Sequence, residues 1–310
     1  MNRRDLIRFA AVLVPALRST VLCAQHRQPE IAFTFDDPEV EQAGALPWQR
    51  INERILAALA KHRIKAVLFV VGKRIDSESG RSLVTSWDQA GHAIGNHSYS
   101  HLFFNSPGVT LAQFESDVVR NESLIRNSDH FVRLFRFPYF KEGDTVAKRD
   151  GIRSFLEQNN YRIGRATIDT SDWAISQRLE KRIGSSPKVD TVPYGEFFNQ
   201  HIWERSQFYD SLAYRTLNRT VRHVVLLHHN ALNALFLDRL ITMFVQKGWK
   251  PIDSTQAYAD PVYDFQPKIA PAGESLIWAL AKESGKFDNE LRYPGEDDVY
   301  ENPKMDALKL

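Results

Sequence analysis

The sequence predicts an α/β protein, folded as a closed or nearly closed (β/α) barrel. Apolar, strand-like segments alternate with amphipathic helical segments at least six times, which is typical of parallel strands joined by crossover helices. The segment 64–71 is almost continuously apolar, as expected for a strand covered on both faces. Polar motifs follow five of the strand-like segments, and in such barrels functional residues gather at the carboxyl ends of strands. The number of repeats favours a barrel over an open sheet.

The individual elements follow from local composition and periodicity. Strands are predicted where β-branched and aromatic residues cluster, at 30–35, 64–71, 92–95, 131–137, 161–168 and 222–227. Helices are predicted where apolar residues recur at helical spacing, at 47–63, 81–90, 110–127, 151–159 and 232–247. Thr110 is a suitable N-cap for the third helix, and Gly248 stands where a helix commonly ends.

Two segments fall outside the alternation and define the domain organisation. The stretch 174–220 is rich in aromatic residues and is longer than one crossover needs, so we expect a helical insertion beside the site. Ordinary packing of one long helix is the alternative explanation for its aromatic content. The barrel is expected to span 25–260, and the tail 261–310, with a helix near 274–283, is expected to pack on it.

The first 24 residues differ in composition from the rest of the chain. A basic N-terminal stretch precedes the apolar run 9–17, which is too short to span a bilayer. Ala24 is a possible cleavage point. These features predict an export signal, and the Arg3-Arg4 pair suggests the twin-arginine route. A frayed amphipathic helix is the alternative. We therefore expect a periplasmic or secreted protein without stable membrane insertion.

Composition and cysteine content exclude several functional classes. The chain is 43% hydrophobic and 25% charged, which is ordinary for a globular protein. The formal net charge is +2, and the predicted signal is itself basic, so the remainder offers no concentrated charge for nucleic acid. Cys23 is the single cysteine and lies in that signal, so the remainder has no thiol nucleophile, disulfide or cysteine-ligated zinc. The sequence contains no indication of an oligomeric state.

The second motif contains two histidines with metal-ligand spacing. His97 and His101 are four residues apart, which on a helix places both imidazoles on one face. Together with a carboxylate they would form a two-histidine, one-acid site with a coordination position left for water. Surface or capping histidines are the alternative for an isolated pair, but this pair follows directly on a strand.

The first motif supplies two adjacent carboxylates. Asp36 and Asp37 end the first strand, and neighbouring side chains of a strand point in opposite directions unless the chain has turned. One acid as a metal ligand and the other as a general base would suit hydrolysis. An Asx turn before Pro38 is the structural alternative.

The remaining motifs supply a cation, an aromatic and a further acid and histidine. Arg136 ends a strand, where it would form a structural ion pair or orient a catalytic carboxylate and lower its pKa. Trp173 stands beside acidic residues, either as part of the core or as the wall of a sugar pocket. Leu226 and His228 share one strand face, so that both could reach the barrel mouth. A buried, hydrogen-bonded histidine is the alternative for His228.

In their order, these motifs resemble those of the polysaccharide deacetylase family, the NodB-homology carbohydrate esterases. The family pattern runs TFDD, H-S/T-x-x-H, R-x-P-Y, D-x-x-D-W and L-x-H. The corresponding segments are Thr34–Asp37, His97–His101, Arg136–Tyr139, Asp169–Trp173 and Leu226–His228. The resemblance covers about residues 30–255, without the insertion. It departs from the family where Pro38 replaces a glycine and where His229 follows the last motif.

The resemblance implies a distorted (β/α) barrel with fewer than eight complete repeats and a divalent metal ion, most often zinc. By this resemblance Asp37, His97 and His101 would bind the metal, and Asp36 would be the general base. Arg136 would help to position the acidic groups.

The resemblance also assigns the other half of the site. Asp172 would support His228 as the general acid. Leu226 and Trp173 would line the acetyl pocket, and the backbone N–H of Tyr139 would help to bind the oxyanion. The implied function is a metal-dependent hydrolase that removes N-acetyl groups from an acetylated polysaccharide or oligosaccharide. The alternatives are an O-acetyl (xylan-type) esterase, a non-sugar amidase, or a non-catalytic carbohydrate-binding barrel.

Overall fold

We describe the protein from a computed structural model, for residues 28–41, 44–186 and 188–310. The predicted export signal at 1–24, including Cys23, lies outside the described residues. Within the described part, none of the helices combines the length and the apolar character that crossing a bilayer requires.

The structure contains nine strands, of which seven belong to one parallel sheet. In chain order the strands are Glu30–Asp36 (β1), Val67–Val70 (β2), Ala93–Asn96 (β3), Phe131–Phe135 (β4), Lys141–Gly143 (β5), Arg162–Ile163 (β6), Arg222–His228 (β7), Lys250–Pro251 (β8) and Ala272–Gly273 (β9). The large sheet has the order β6-β4-β3-β2-β1-β7, with β8 paired to the start of β1. Strands β5 and β9 form a separate antiparallel pair. These counts refer to the described residues.

The sheet curls until its two edges are bridged by one segment of chain. Strand β6 pairs with β4 at one edge, whereas Ile168, five residues further on, forms a parallel bridge to Val225 of β7 at the other. The Leu226 N–H donates to the Ile168 carbonyl at 3.1 Å, and the Thr167 N–H donates to the Val224 carbonyl at 3.0 Å. The predicted α/β fold, a distorted barrel with fewer than eight complete repeats, is confirmed.

The strand predicted at 161–168 is interrupted, because this segment crosses from one edge of the sheet to the other. Only 162–163 and the bridge at Ile168 pair as strand. At Gly164 the backbone passes the Phe69 ring so closely that an added Cβ would lie 2.6 Å from its Cζ. A larger side chain at this bend would therefore collide with the barrel interior.

Eleven helices are present in the described part of the chain. They are Trp48–His62 (α1), Gly72–Ile75 (α2), Glu78–Gln89 (α3), Leu111–Ile125 (α4), Val146–Gln158 (α5), Asp172–Ser185 (α6), Val192–Leu217 (α7), Ala231–Gln246 (α8), Ser254–Ala257 (α9), Leu276–Ser284 (α10) and Asp298–Ala307 (α11). Thr110 caps α4 as predicted, and Gln113 completes a reciprocal capping box. The five helices predicted for the barrel correspond to α1, α3, α4, α5 and α8, with ends displaced by a few residues, and the helix predicted near 274–283 corresponds to α10.

Between the fourth and fifth motifs the chain forms α6 and α7. Helix α7 contributes Tyr194, Phe198, Ile202 and Tyr209 to the main hydrophobic core. Helix α10 packs against α7, and Arg215 of α7 pairs with Glu290 of the tail at 2.8 Å. The tail therefore packs against α7.

The register of the parallel strands brings the motifs together. Strand β1 pairs with β7 along its whole length, and Asp36 is the partner of His228. On its other side Asp36 is the partner of Phe69, and Val70 at the end of β2 is the partner of Asn96. Since all these strands are parallel, their carboxyl ends meet at one rim of the barrel.

Candidate active site

A cavity of about 690 Å³ opens at the carboxyl ends of the strands. Eight of the ten predicted site residues line it: Asp36, Asp37, His97, His101, Tyr139, Trp173, Leu226 and His228. The other two, Arg136 and Asp172, are 1% and 0% exposed. They form hydrogen bonds with the lining residues Asp36 and His228, respectively. The structure therefore brings all ten predicted residues to one place.

The histidine pair does not lie on a helix. Residues 97–101 form an irregular turn in which Ser98 and His101 adopt left-handed φ values of 62° and 56°. The two imidazoles nevertheless lie together, with ring centroids 5.0 Å apart. The turn, rather than helical periodicity, brings the rings to one side.

Buried polar side chains replace the hydrogen bonds that a helix would have supplied to this turn. The Asp117 carboxylate accepts hydrogen bonds from the N–H groups of Tyr99 and Ser100, at 3.0 and 2.8 Å. The Asn96 side chain accepts one from the Ser98 N–H at 2.9 Å. These bonds compete with helix formation and fix the irregular backbone.

Asp37 and the two histidines form a group with the dimensions of a metal centre. The Nε2 atoms of His101 and His97 lie 3.5 and 3.7 Å from Asp37 Oδ1. Donor atoms at zinc-bond lengths from a tetrahedral ion lie about 3.4 Å from one another. Asp37 Oδ1 is buried and accepts no hydrogen bond from any described residue. The three donors thus fit a divalent cation.

The hydrogen bonding of His97 leaves the correct nitrogen free for such an ion. Its Nδ1 lies 2.7 Å from the backbone carbonyl oxygen of Arg136, which can only accept. Nδ1 therefore carries the hydrogen, and the lone pair of Nε2 faces Asp37.

Asp37 is placed for this role by a turn at the end of β1. Its φ of 60° takes the chain out of the strand, so that Asp37 and Asp36 need not point in opposite directions. Burial disfavours its charge, but His101, Arg74 and His97 outweigh this effect and hold the pKa of Asp37 below its usual range. Arg74 Nη1 lies 3.3 Å from Asp37 Oδ2. The carboxylate is ionised and ready to bind a cation.

Asp36 occupies a different environment. Arg136 Nη1 donates to its Oδ1 at 2.7 Å, and its Oδ2 lies 3.6 Å from His97 Nε2. Burial raises the pKa of Asp36 to about 6, although the Arg136 guanidinium acts in the opposite direction. A carboxylate with a pKa near neutrality is suited to accept and release a proton.

Arg136 is fixed by contacts from four other parts of the chain. Its guanidinium donates hydrogen bonds to the Gly164 carbonyl at 2.8 Å, Thr34 Oγ1 at 2.9 Å and the Tyr258 hydroxyl at 3.0 Å, and it lies over the Phe69 ring at 4.0 Å. Sequence reasoning did not identify Tyr258, which follows α9 and carries no local motif. The arginine can thus hold Asp36 in one orientation.

The partly exposed His228 and the buried Asp172 form an acid–histidine pair. His228 Nδ1 lies 2.7 Å from Asp172 Oδ1, and the His228 N–H donates to Asp172 Oδ2 at 2.9 Å. Burial opposes the charged imidazolium, but the Asp172 carboxylate prevails and raises the pKa of His228 to about 9. The ring is therefore protonated at neutral pH and can supply a proton to the cavity.

Two asparagines that sequence reasoning missed complete this pair. The Nδ2 atoms of Asn233 and Asn230 donate to Asp172 Oδ2 at 2.7 and 3.2 Å. Asn230 also caps α8 by accepting from the Asn233 N–H at 2.9 Å. An asparagine just before a predicted helix was an available capping signal, but its bond to Asp172 depends on the tertiary fold.

The three predicted substrate-binding residues all border the cavity. Tyr139 has a left-handed φ of 55° and is 56% exposed, and the centroid of its ring lies 4.5 Å from that of His101. Leu226 is buried in the wall, and Trp173 is half-buried at the start of α6.

The tail supplies part of the cavity wall, which the sequence did not indicate. Glu274, Pro294, Glu296 and Asp297 line the cavity together with Asp169 of the fourth motif. Lys141 pairs with Glu274 at this wall. The tail therefore adds acidic side chains to the cavity wall.

Fold and site together define an α/β barrel protein with an Asp-His-His group and an acid–histidine pair at one rim. The model of the polysaccharide deacetylase family matches residues 24–155, which include the first three motifs. The resemblance to the polysaccharide deacetylase family is thereby confirmed.

Curated relatives show the same resemblance. A peptidoglycan-N-acetylglucosamine deacetylase of Bacillus cereus is 27% identical over 150 residues, covering 48% of this chain and 48% of the relative. A chitin deacetylase of Arthroderma benhamiae is 28% identical over 147 residues, covering 46% of this chain and 35% of the relative. The chain thus spans half or less of the length of these relatives.

Solved structures show the same fold. A family 4 carbohydrate esterase pseudoenzyme from Bacillus anthracis gives a TM-score of 0.51 at 19% identity, covering 75% of this chain and 66% of that one. A peptidoglycan N-acetylglucosamine deacetylase gives a TM-score of 0.50 at 21% identity, covering 75% and 89%.

Proposed function

We propose that the protein is a metal-dependent hydrolase that removes N-acetyl groups from an acetylated polysaccharide or oligosaccharide. The observation that carries this proposal is the convergence of Asp37 Oδ1 with two imidazole nitrogens, at 3.5 and 3.7 Å, beside Asp36. The protonated His228 faces the same cavity. These groups would supply both activation of the nucleophile and protonation of the leaving group.

Asp37, His97 and His101 would hold a divalent cation, and zinc suits this set of one carboxylate and two imidazoles. Such an ion would polarise the acetyl carbonyl and lower the pKa of a water molecule. With three protein ligands, such an ion would keep a coordination position free for water, as a catalytic zinc site requires.

Asp36 would act as the general base. Its carboxylate lies next to the proposed ligands, and Arg136 keeps it in a fixed orientation at 2.7 Å. It would take the proton of the attacking water and hold it until the product leaves.

His228 would act as the general acid. The amine of an amide leaves only after protonation, and the charged His228 ring can donate its Nε2 proton to that nitrogen. Asp172 orients the ring and stabilises its charge at 2.7 Å. The Tyr139 N–H would donate to the oxyanion, while Leu226 and Trp173 would enclose the acetyl group.

The substrate class is proposed from the relatives and the site together. The names of the relatives refer to the N-acetylglucosamine of peptidoglycan and to chitin, and both polymers contain N-acetylated sugars. We also propose that the chain consists of an export signal at 1–24, a barrel at 25–260 with a helical insertion at about 174–220, and a tail at 261–310. Export to the periplasm or medium would bring the protein to such polymers.

Acetate release from a small substrate panel tests the proposal. N-acetylglucosamine oligomers, peptidoglycan and acetylated xylan are incubated with the protein, with and without a chelator, and zinc is then restored. We expect release from the N-acetylated substrates, loss with the chelator and recovery with zinc. Release from xylan alone would indicate an O-acetyl esterase.

Absence of release from every substrate, with a metal-free protein whose glycan binding is unchanged in Asp36→Asn, would overturn the proposal. That result would identify a carbohydrate-binding barrel. The comparison is relevant because a pseudoenzyme shares this fold.

A further inference from the structure

A second buried cluster of titratable groups lies between α7 and the tail, and one of its members, Glu296, also belongs to the cavity wall. His201 of α7, Glu296 and Glu301 of the tail place one ligand-type atom each within 4.8 Å of one another. The two carboxylates already have cationic partners, namely Arg205, Arg292 and Lys304. Because these side chains supply the positive charge, the cluster has no need of a metal ion.

His201 connects this cluster to the fourth motif. The Ser171 backbone N–H donates to His201 Nε2 at 3.2 Å. Since Nε2 accepts, the hydrogen of the neutral ring is on Nδ1. Nδ1 lies 3.2 Å from Glu301 Oε2 and faces it without hydrogen-bond alignment. Both side chains are 1% exposed, so the bridge from tail to motif is shielded from water.

Because Ser171 directly precedes Asp172, a contact with the Ser171 backbone can affect the position of the Asp172 carboxylate. Ser171 is the N-cap of α6, which begins at Asp172, and both residues are fully buried. The Ser171 hydroxyl has no hydrogen-bond partner among the described residues, so the ring of His201 is an important tether of this peptide. Without that acceptor the buried N–H would be unpaired, and the loop would shift to satisfy it.

We infer that His201, supported by Glu301, is a positioning residue for the proposed acid pair. It fixes the Ser171 peptide, and thereby the place of the Asp172 carboxylate that holds His228. Asn233 of α8 holds the Asp172 carboxylate by a hydrogen bond. His201 of α7 holds the backbone of the preceding residue, Ser171. Through His201 and Glu301, helix α7 and the tail would then influence proton donation by His228. The inference rests on the proposed function of His228.

The test compares His201→Leu with a matched control, His92→Leu. His92 is also 2% exposed, and its Nδ1 also accepts a backbone N–H, from Ala66 at 3.1 Å, but it precedes β3 at the opposite end of the strands. We expect His201→Leu to lower kcat about 10- to 100-fold with KM nearly unchanged. We expect its alkaline pH limb to move to lower pH, because Asp172 supports the His228 charge less well.

His92→Leu should keep both kcat and the pH limb while losing comparable thermal stability. His201→Gln, whose amide can still accept from Ser171, should recover most of the lost kcat. Equal effects of the two leucine variants, or an unchanged alkaline limb in His201→Leu, would overturn the inference.

A second measurement does not depend on activity. Isotope-labelled histidine in the full chain permits NMR titration of His228, assigned with a His228→Gln variant. We expect its pKa to fall in His201→Leu and to remain unchanged in His92→Leu. An unchanged pKa would reject the positioning role, whereas a wild-type protein without acetate release would reject the proposed function alone.

Should His201→Leu fail to fold, the same titration is made with Glu301→Gln. This variant keeps the shape of the side chain but weakens the support of His201, so a smaller fall in the same direction is expected. No change in that variant would count against the inference.

Discussion

Asp36 and His228 are register partners across the pairing of β1 and β7. The two strands are parallel and end at the same rim, so a carboxylate with a pKa of about 6 stands beside an imidazole with a pKa of about 9. The two groups differ because Asp36 is desolvated beside Arg136, whereas His228 is paired with the buried Asp172. A base and an acid can thus coexist, both in their working protonation states, near neutral pH.

The proposed base can be removed without removing the metal ligands. We expect Asp36→Asn to lower kcat about 100- to 10,000-fold, because the amide cannot take up a proton while its oxygen still accepts from Arg136. Acetate release and metal content are measured on the same preparation. Metal loss in this variant would mean that Asp36 is a ligand instead.

The proposed metal centre is tested by metal analysis rather than by activity. We expect the wild type to bind about one zinc ion per chain and His101→Gln to lose most of it, because two protein ligands hold zinc poorly. His130→Gln serves as control, since His130 is half-exposed and paired with Asp88 at 2.9 Å, outside the cavity. Equal metal content in all three proteins would contradict the assignment.

The dependence of kcat/KM on pH should be bell-shaped. Activity falls with acid as Asp36 is protonated, below about pH 6, and a bound cation would move this limb still lower. Activity falls with alkali as His228 loses its proton, near its pKa of about 9. Rates are measured across this range for the wild type and Asp172→Asn. In the variant the alkaline limb should move towards neutrality, and an unmoved limb would exclude His228 as the acid.

A buried ion pair away from the cavity should control stability in acid. Burial disfavours the charge of Glu142, but Arg165 and Arg153 outweigh this effect and lower its pKa to about 2. Because the folded pKa is depressed, its stabilisation is full above the ordinary pKa of about 4.5 and is lost as pH falls towards 2. We expect Glu142→Gln to cost about 3 kcal/mol of unfolding free energy near neutral pH.

Urea unfolding near neutral pH and at about pH 3 checks this expectation. The difference between wild type and Glu142→Gln should shrink at the lower pH. Glu290→Gln is the control, because that carboxylate pairs with Arg215 at the surface and should matter little at either pH. A difference independent of pH would show that charge pairing is not the cause.

The sequence predicted the barrel and the ten site residues because both leave local signals. Strands and crossover helices differ in the spacing of apolar residues, and each motif directly follows a strand. The four-residue spacing of His97 and His101 did not reveal the turn that they form, because spacing carries no information on the hydrogen bonds that compete with helix formation. Those bonds come from Asp117, on the following helix.

What the sequence by itself determined is the order of strands and helices, and hence which chemical groups stand at the barrel rim. The tertiary structure decided how those groups are held: Tyr258 on Arg136, Asn233 on Asp172, and His201 with Glu301 on Ser171. The physical reason is distance along the chain. Arg136 and Tyr258 are 122 residues apart, and no periodic pattern links them. Such contacts exist only after the sheet has curled and the tail has packed, because burial then requires each polar group to find a partner.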